Sequence, residues 1–323
     1  PKTHYPIGDL KPERTDSWEV GLDMKLFKDF NLGLSWYLAN TFNQTFDPQI
    51  SVSSGYTTIY LQTGYVRNTG LELSLGYGHT WNNNFRWDSN FTLSHNKNKI
   101  KELVRDYVHP ETGELINKDR LDVGGLGKAR FILKEGGTLG DLYTQSDLKR
   151  DDNGMVDIDP TGIVAIENNL PDIKLGSVFP KANLAWSNHF SWKGISLSAL
   201  FTARIGGIVY SATEAAMDQY GVSERSALAR DNGGVLVNNR TLVDAQNYYT
   251  TIGSESGLPQ YYTYNATNVR LQEASIGYLI PRKWLGNVCD IQVSVIGRNL
   301  WMIYNKAPFD PESVATTDNY YQG

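Results

Sequence analysis

The sequence predicts an all-β protein, a transmembrane antiparallel up-and-down β-barrel, on three observations. First, the connections alternate in length. The short ones are Lys28-Asp29-Phe30, Asn82-Asn83-Asn84, Ser191-Trp192-Lys193-Gly194 and Pro281 to Asn287; the long ones cover about 47–64, 102–178, 209–266 and 306–323. Short turns on one side of a membrane and long loops on the other give this pattern, and a soluble sandwich has no reason to sort its loops by length. Second, the segments between them alternate apolar and polar side chains with a period of two. Third, several runs reach about ten residues, near what a tilted membrane strand needs and above the usual soluble strand of about five to six.

The strands follow in order. Trp18, Val20, Leu22, Met24 and Leu26 alternate with Ser17, Glu19, Gly21, Asp23 and Lys25. Leu32, Leu34, Trp36 and Leu38 repeat the pattern, then Leu71, Leu73, Leu75 and Tyr77, then Phe85, Trp87, Phe91 and Leu93. Fainter versions at Ala182 to Phe190, Ile195 to Ala203, Val269 to Ile280 and Ile291 to Trp301 bring the expected number of strands to eight. The apolar set is expected to face lipid. Glu19, Asp23, Lys25, Glu72, Arg86 and Asp88 are expected to face the lumen, where charges are solvated and paired. Between Val269-Leu271 and Ala274-Ile276-Tyr278 the apolar phase slips by one. A period of two cannot slip without an extra residue, so a β-bulge is expected near Gln272-Glu273. Aromatics near the strand ends, among them Trp18, Phe27, Tyr77, Trp81, Phe85, Phe190, Trp192 and Trp301, read as interfacial belts.

Composition agrees. Aromatic residues make up 12%, with 19 Tyr and 8 Trp, while the mean hydropathy stays polar at −0.40. No apolar run approaches the roughly 20 residues of a membrane helix, as expected where lumen and loop residues dilute the apolar face. A net charge of −5, without a Lys/Arg stripe, argues against nucleic acid as a partner. The single cysteine, Cys289, allows no internal disulfide and reads as a small packing residue at a strand start.

The long connections are where function is expected. Within 102–178, Ala129 to Leu133 is expected to fold back over the lumen as a strand. Asp151, Asn153, Asp157 and Asp159 surround Gly154 with a spacing reminiscent of a Ca²⁺ loop. Lys149 and Pro160 occupy the positions where such a loop needs its first and last carboxylates, so a solvated acidic turn is the preferred reading, with these four residues as ligands if a cation is held. Within 209–266 a helical pattern covers Ala212 to Tyr220. The pairs Tyr248-Tyr249 and Tyr261-Tyr262 are candidate contacts for substrate or a protein partner, since Tyr gives contact area at low conformational cost; packing of the loop onto itself is the alternative. The five histidines lack metal-ligand spacing; His79, His95 and His189 fall near strand ends. No catalytic constellation is visible, so a transporter is expected rather than an enzyme.

Several stretches resemble the TonB-dependent outer-membrane transporters, and within them the SusC-like branch from Bacteroidetes. They are Leu10 to Asp23, Asn68-Thr69-Gly70-Leu71-Glu72-Leu73, Asn268 to Pro281, Gly297-Arg298-Asn299-Leu300-Trp301 and Asp310-Pro311-Glu312. They occur in the family's order, and jointly they are specific. The resemblance implies a barrel of 22 strands in the cell outer membrane, of which 1–323 corresponds to the C-terminal third, without the signal, TonB-contacting and plug segments and without the last strand. It implies energised import of oligosaccharides, less often peptides, with a SusD-like surface lipoprotein as partner and TonB acting on the absent N-terminal part. A passive porin, a soluble carbohydrate-binding β-sandwich and an outer-membrane barrel enzyme are the alternatives. An upstream plug argues against the first, a need for detergent against the second, and the lack of a Ser/His or metal cluster against the third.

Overall fold

The computed structural model describes residues 2–5, 11–46, 56–59, 61–62, 64–108 and 113–313. Its frame is one sheet of eight strands in strict chain order, every neighbouring pair antiparallel. We label them β1 (Arg14–Leu26), β2 (Phe30–Phe42), β3 (Tyr65–Thr80), β4 (Arg86–Glu102), β5 (Ala182–Trp192), β6 (Ile195–Ile205), β7 (Asn268–Leu279) and β8 (Gln292–Asn305). This is the up-and-down wall that the connection lengths predict.

The register carries the alternation across the whole sheet. Leu22, Leu34, Leu73, Leu93, Leu184, Ala203, Val269 and Tyr304 are cross-strand partners in a single row. The adjacent row on the other face reads Gly21, Ser35, Glu72, Ser94, Asn183, Arg204, Asn268 and Asn305. None of the described residues covers the apolar face: Trp18 is 75% exposed, Val20 68%, Trp186 46% and Val295 69%. Burying such side chains is worth about 1.5–3 kcal/mol each, so a sheet that leaves them bare is built for an apolar solvent. At the short-turn end, Phe30, Tyr77, Trp87 and Phe190 form a belt on that face, with ring centroids 4.8, 5.1 and 5.9 Å apart in sequence. The bulge falls where the phase slip requires it. β6 pairs Leu200 with Glu273 and Phe201 with Leu271, leaving Gln272 as the extra residue. Leu271, Ile276 and Tyr278 therefore all stay on the face that carries Ile195 and Leu197.

Some boundaries differ from expectation. Phe30, Ser191 and Trp192 belong to strands, and the third turn shrinks to Lys193-Gly194 with both residues at positive φ. β4 does end at Glu102, where the long connection was expected to begin, although its last residues are polar and lipid-driven alternation does not mark them. Cys289 is exposed and precedes β8, so it is not a packing residue. Most of the expected 47–64 loop, together with Leu10, His109 and 314–323, lies outside the described residues.

The two longest connections form a lobe with its own hydrophobic core. Ala129, Phe131, Leu142, Leu148 and Val164 from the first pack with Tyr210, Ala215, Val237, Ile252, Leu258 and Tyr262 from the second. The first contributes a four-stranded sheet of Arg120–Leu126, Ala129–Lys134, Asp141–Thr144 and Ile173–Ser177. The expected strand at Ala129 to Leu133 is thus present. Leu121 and Leu133 reach down to Val66 and Ile100 at the loop end of β3 and β4. The second contributes helices α1 (Ala212–Gln219), α2 (Glu224–Asp231) and α3 (Ala245–Gly253). Their N-caps are Ser211, Ser223 and Asp244, whose side chains accept from Glu214, Ser226 and Asn247 amides, as capping requires.

Candidate functional site

The polar face of the wall curves around a hollow of about 850 Å³ lined by Glu19, Asp23, Ser35, Glu72, Arg204 and Glu312, among others. Small residues on the inner rows open it. Gly21 and Gly33 leave room beside Ser35 and Asp23. Ser35 Oγ donates to Glu19 Oε1 at 2.7 Å, so one carboxylate is held, while Asp23 and Glu72 also line the hollow and have no hydrogen bond or ion pair among the described residues. Lys25, Arg86 and Asp88 share the polar face but sit nearer the short turns and do not line the hollow. There Arg86 Nη2 and Asp88 Oδ1 pair at 2.6 Å, with Gly78 giving Asp88 its room.

Above the hollow the Asn68-Thr69-Gly70 stretch acquires a physical reason. Asn68 Oδ1 accepts from Asn96 Nδ2 at 3.1 Å and from Asn98 Nδ2 at 3.0 Å, and Asn96 Oδ1 accepts from the Tyr37 hydroxyl at 3.2 Å. The Tyr37 ring lies where a side chain on Gly70 would be, so any other residue there displaces it.

Three of the stretches singled out by resemblance converge on one side chain, Arg270, which is 4% exposed. Its Nη2 is 2.7 Å from Asp310 Oδ1 and 3.3 Å from Glu312 Oε2, and its Nε donates to Asn268 Oδ1 at 3.2 Å. Nη1 donates to Asn299 Oδ1, and Asn299 holds a positive φ of 53° inside β8. A buried guanidinium must be satisfied on every side, and this one ties the connection after β8 to the inner face of β7. These residues lie up to 44 positions apart in the chain and meet only through the fold. The signal was present as an Arg inside an otherwise alternating strand and a carboxylate pair after the next one.

The candidate contact tyrosines are placed differently from expectation. Tyr262 is fully buried in the lobe core, with its hydroxyl donating to Asp218 Oδ2 at 2.8 Å. It is a core residue and not an available contact. Burial, reinforced by the Asp218 carboxylate, pushes its phenol well above the ordinary value. Tyr248, Tyr249 and Tyr261 are half-buried against the same core, Tyr248 and Tyr249 meeting edge to face at 5.5 Å.

The carboxylates of the acidic turn are taken up by the turn's own amides and by a lysine. Asp151 Oδ1 accepts from the amides of Asn153 and Met155 at 2.8 and 2.9 Å, and Asp159 Oδ1 does the same for Thr161 and Ile163. Gly154 and Gly162 supply the positive φ of each turn. Asp157 pairs with Lys149 at 3.0 Å. The carboxylates are thus committed to two successive tight turns, and Asp151, Asn153, Asp157 and Asp159 do not converge. Among the described residues no group of His, Cys, Asp and Glu is arranged for a metal. His79 bonds Asp29 at 2.9 Å, His95 the Lys181 carbonyl and His189 Ser198, each a separate local contact.

An apolar outer face, a polar inner face and long loops gathered at one end define a β-barrel wall of the outer-membrane type. Comparison with known proteins places it further. The family model described as "TonB dependent receptor-like, beta-barrel" matches residues 2–300, and the chain belongs to that family, whose members are outer-membrane proteins. TonB-dependent receptor P3 of Formosa agariphila is 25% identical over 98% of this chain and 32% of its own length. Receptor P39 of the same organism is 28% identical over 44% of this chain and 12% of its own length. A solved structure of the RagAB peptide transporter superposes with a TM-score of 0.67 at 19% identity, covering 96% of this chain and 34% of that one. This supports the fold. The chain spans about a third of the length of the first of these relatives and of that structure.

Proposed function

We propose that this chain supplies part of the barrel wall and the outward loops of a SusC-like, TonB-dependent importer, which moves oligosaccharides across the outer membrane. The observation that carries the reading is the division of one sheet into a bare apolar face and a hollow rich in hydrogen-bonding groups, with a folded lobe at the loop end. The hollow, with Glu19, Asp23 and Glu72, suits a neutral or cationic oligomer bearing hydroxyls or amides. Peptides are the second reading, favoured by the fold likeness to a peptide transporter. TonB would act through the rest of the protein, and a SusD-like lipoprotein would dock on the lobe. The partly exposed edges of Tyr248, Tyr249 and Tyr261 are candidate contacts for that partner or for substrate.

The test is growth and uptake by a strain lacking the full-length gene, complemented by wild type or by Glu19→Gln/Glu72→Gln, on defined oligosaccharides and on peptides. Loss of uptake of one class on deletion, restored by wild type and altered by the variant, is the expected result. Undiminished uptake of both classes after deletion contradicts the reading.

A further inference from the structure

The loop end of β4 carries a feature that transport does not use. Beyond Leu93 the outward positions are His95, Lys97 and Lys99, while the inward ones include Asn96, Asn98 and the buried Ile100; Lys101 is the extra residue of a register shift that sets Glu102 opposite Tyr65. The neighbouring outward positions on β3 are Thr69, opposite Lys97, and Arg67, opposite Lys99. Composition hid this stripe, because only alternate residues belong to it.

Arg67, Lys97, Lys99 and Lys101 form no salt bridge among the described residues; Arg67 Nε donates only to Asn40 Oδ1 at 2.8 Å. By contrast Arg14, Arg86, Arg270 and Arg298 each sit on a carboxylate. Like charges directly opposite across a strand pair destabilise it, and Arg67 and Lys99 are such a pair. The position along the membrane is also informative. Ten residues separate Trp87, in the short-turn belt, from Lys97. At roughly 3.3 Å per residue and a tilt of about 40°, that climb is about 25 Å, the height of an outer-membrane barrel's apolar band. The cluster therefore stands on the lipid side of the wall at the outer headgroup level.

We infer that Arg67, Lys97 and Lys99 form a binding site for the phosphorylated headgroup of an outer-leaflet lipid, whose acyl chains lie along Leu71, Leu73 and Leu93. A phosphate seated between Arg67 and Lys99 converts their repulsion into two charge-assisted hydrogen bonds. The inference rests on the outer-membrane placement of the wall and not on what is transported.

The test is native mass spectrometry of the full-length protein in detergent, titrated with diphosphoryl lipid A, with its dephosphorylated form and inorganic phosphate as controls. Wild type should retain the phosphorylated lipid. Arg67→Gln/Lys97→Gln/Lys99→Gln should bind it about tenfold or more weakly, since each basic group at a membrane surface contributes appreciably. Lys97→Arg/Lys99→Arg should bind it normally. Where the triple variant does not fold, the single Lys99→Gln decides. In lipid-free detergent it should melt at or above the wild-type temperature, and lipid A should stabilise it less. Equal retention of the dephosphorylated lipid, displacement by millimolar inorganic phosphate, or unchanged lipid A stabilisation of Lys99→Gln each overturns the site.

Discussion

The wall and the lobe are built from one chain, yet they obey opposite rules. In the wall, Leu34 and Leu73 sit on a face that none of the described residues covers, and polar residues gather on the inner side. In the lobe, Ile132, Ile252, Leu258 and Tyr262 are buried, and charges are either at the surface or paired. The lobe buries an apolar core of its own, beside a sheet whose apolar face is bare. The difference teaches that solvent, and not side-chain chemistry alone, decides which face of an element is the stable one.

The largest expected effect breaks the wall's side of that comparison. Deleting Gln272 removes the bulge, so either Val269 and Leu271 or Ala274 and Ile276 must turn inward. Folded barrel, read by heat-modifiable gel mobility, should be nearly lost, whereas Gln272→Ala should leave it intact. Next, Leu73→Arg should destabilise the wall by about 2–4 kcal/mol, the cost of Arg at a barrel's lipid midplane. Ser74→Arg, one residue along on the inner face, should cost far less in the same urea titration.

The lobe should respond to a different change. Asp218 accepts from Tyr262 at 2.8 Å, Ser223 at 2.5 Å and Arg225 at 2.9 Å. Asp218→Ala should loosen the lobe by about 2–3 kcal/mol, as lost hydrogen bonds to a charged group do. Hydrogen exchange should rise in α1 to α3 and stay unchanged in β1 to β6.

A smaller, pH-dependent effect sharpens the contrast. Asp172 bonds Arg120 Nε at 2.7 Å and Lys134 Nζ at 2.8 Å, and these cations hold its carboxyl well below the ordinary range. With the folded value depressed, its contribution is present above the unfolded carboxylate value of about 4 and fades as the pH falls below that. Acid should therefore make the 120–177 segment sensitive to protease while the wall persists. Asp172→Asn should be as sensitive at neutral pH as wild type is in acid.

Legibility in the sequence followed the same division. The wall was readable because lipid on one side and water on the other impose a period of two, which even located the bulge at Gln272. It fades where that pressure stops: His95 to Lys101 continues β4 without an apolar face, and only the start of the long connection at 102 marked the strand's end. Long-range side-chain chemistry was least visible. Nothing local announces that Arg270 will meet Asp310 and Glu312, or that Tyr262 will bury itself on Asp218 while Tyr261 stays half-exposed. At Asp151 and Asp159 the spacing was correctly seen, but an Asp that caps its own turn and an Asp that binds Ca²⁺ share it.

The central claim, that β3 stands with alternate residues in lipid and in water, is tested most directly by a spin-label scan of residues 71–76. Full-length protein carrying Cys289→Ser receives single cysteines there and is reconstituted in vesicles, and the label's collision rates with oxygen and with a water-soluble nickel chelate are measured. Positions 71, 73 and 75 should favour oxygen and positions 72, 74 and 76 the chelate, alternating along the strand. Uniform accessibility to the chelate, or no alternation, would contradict the account.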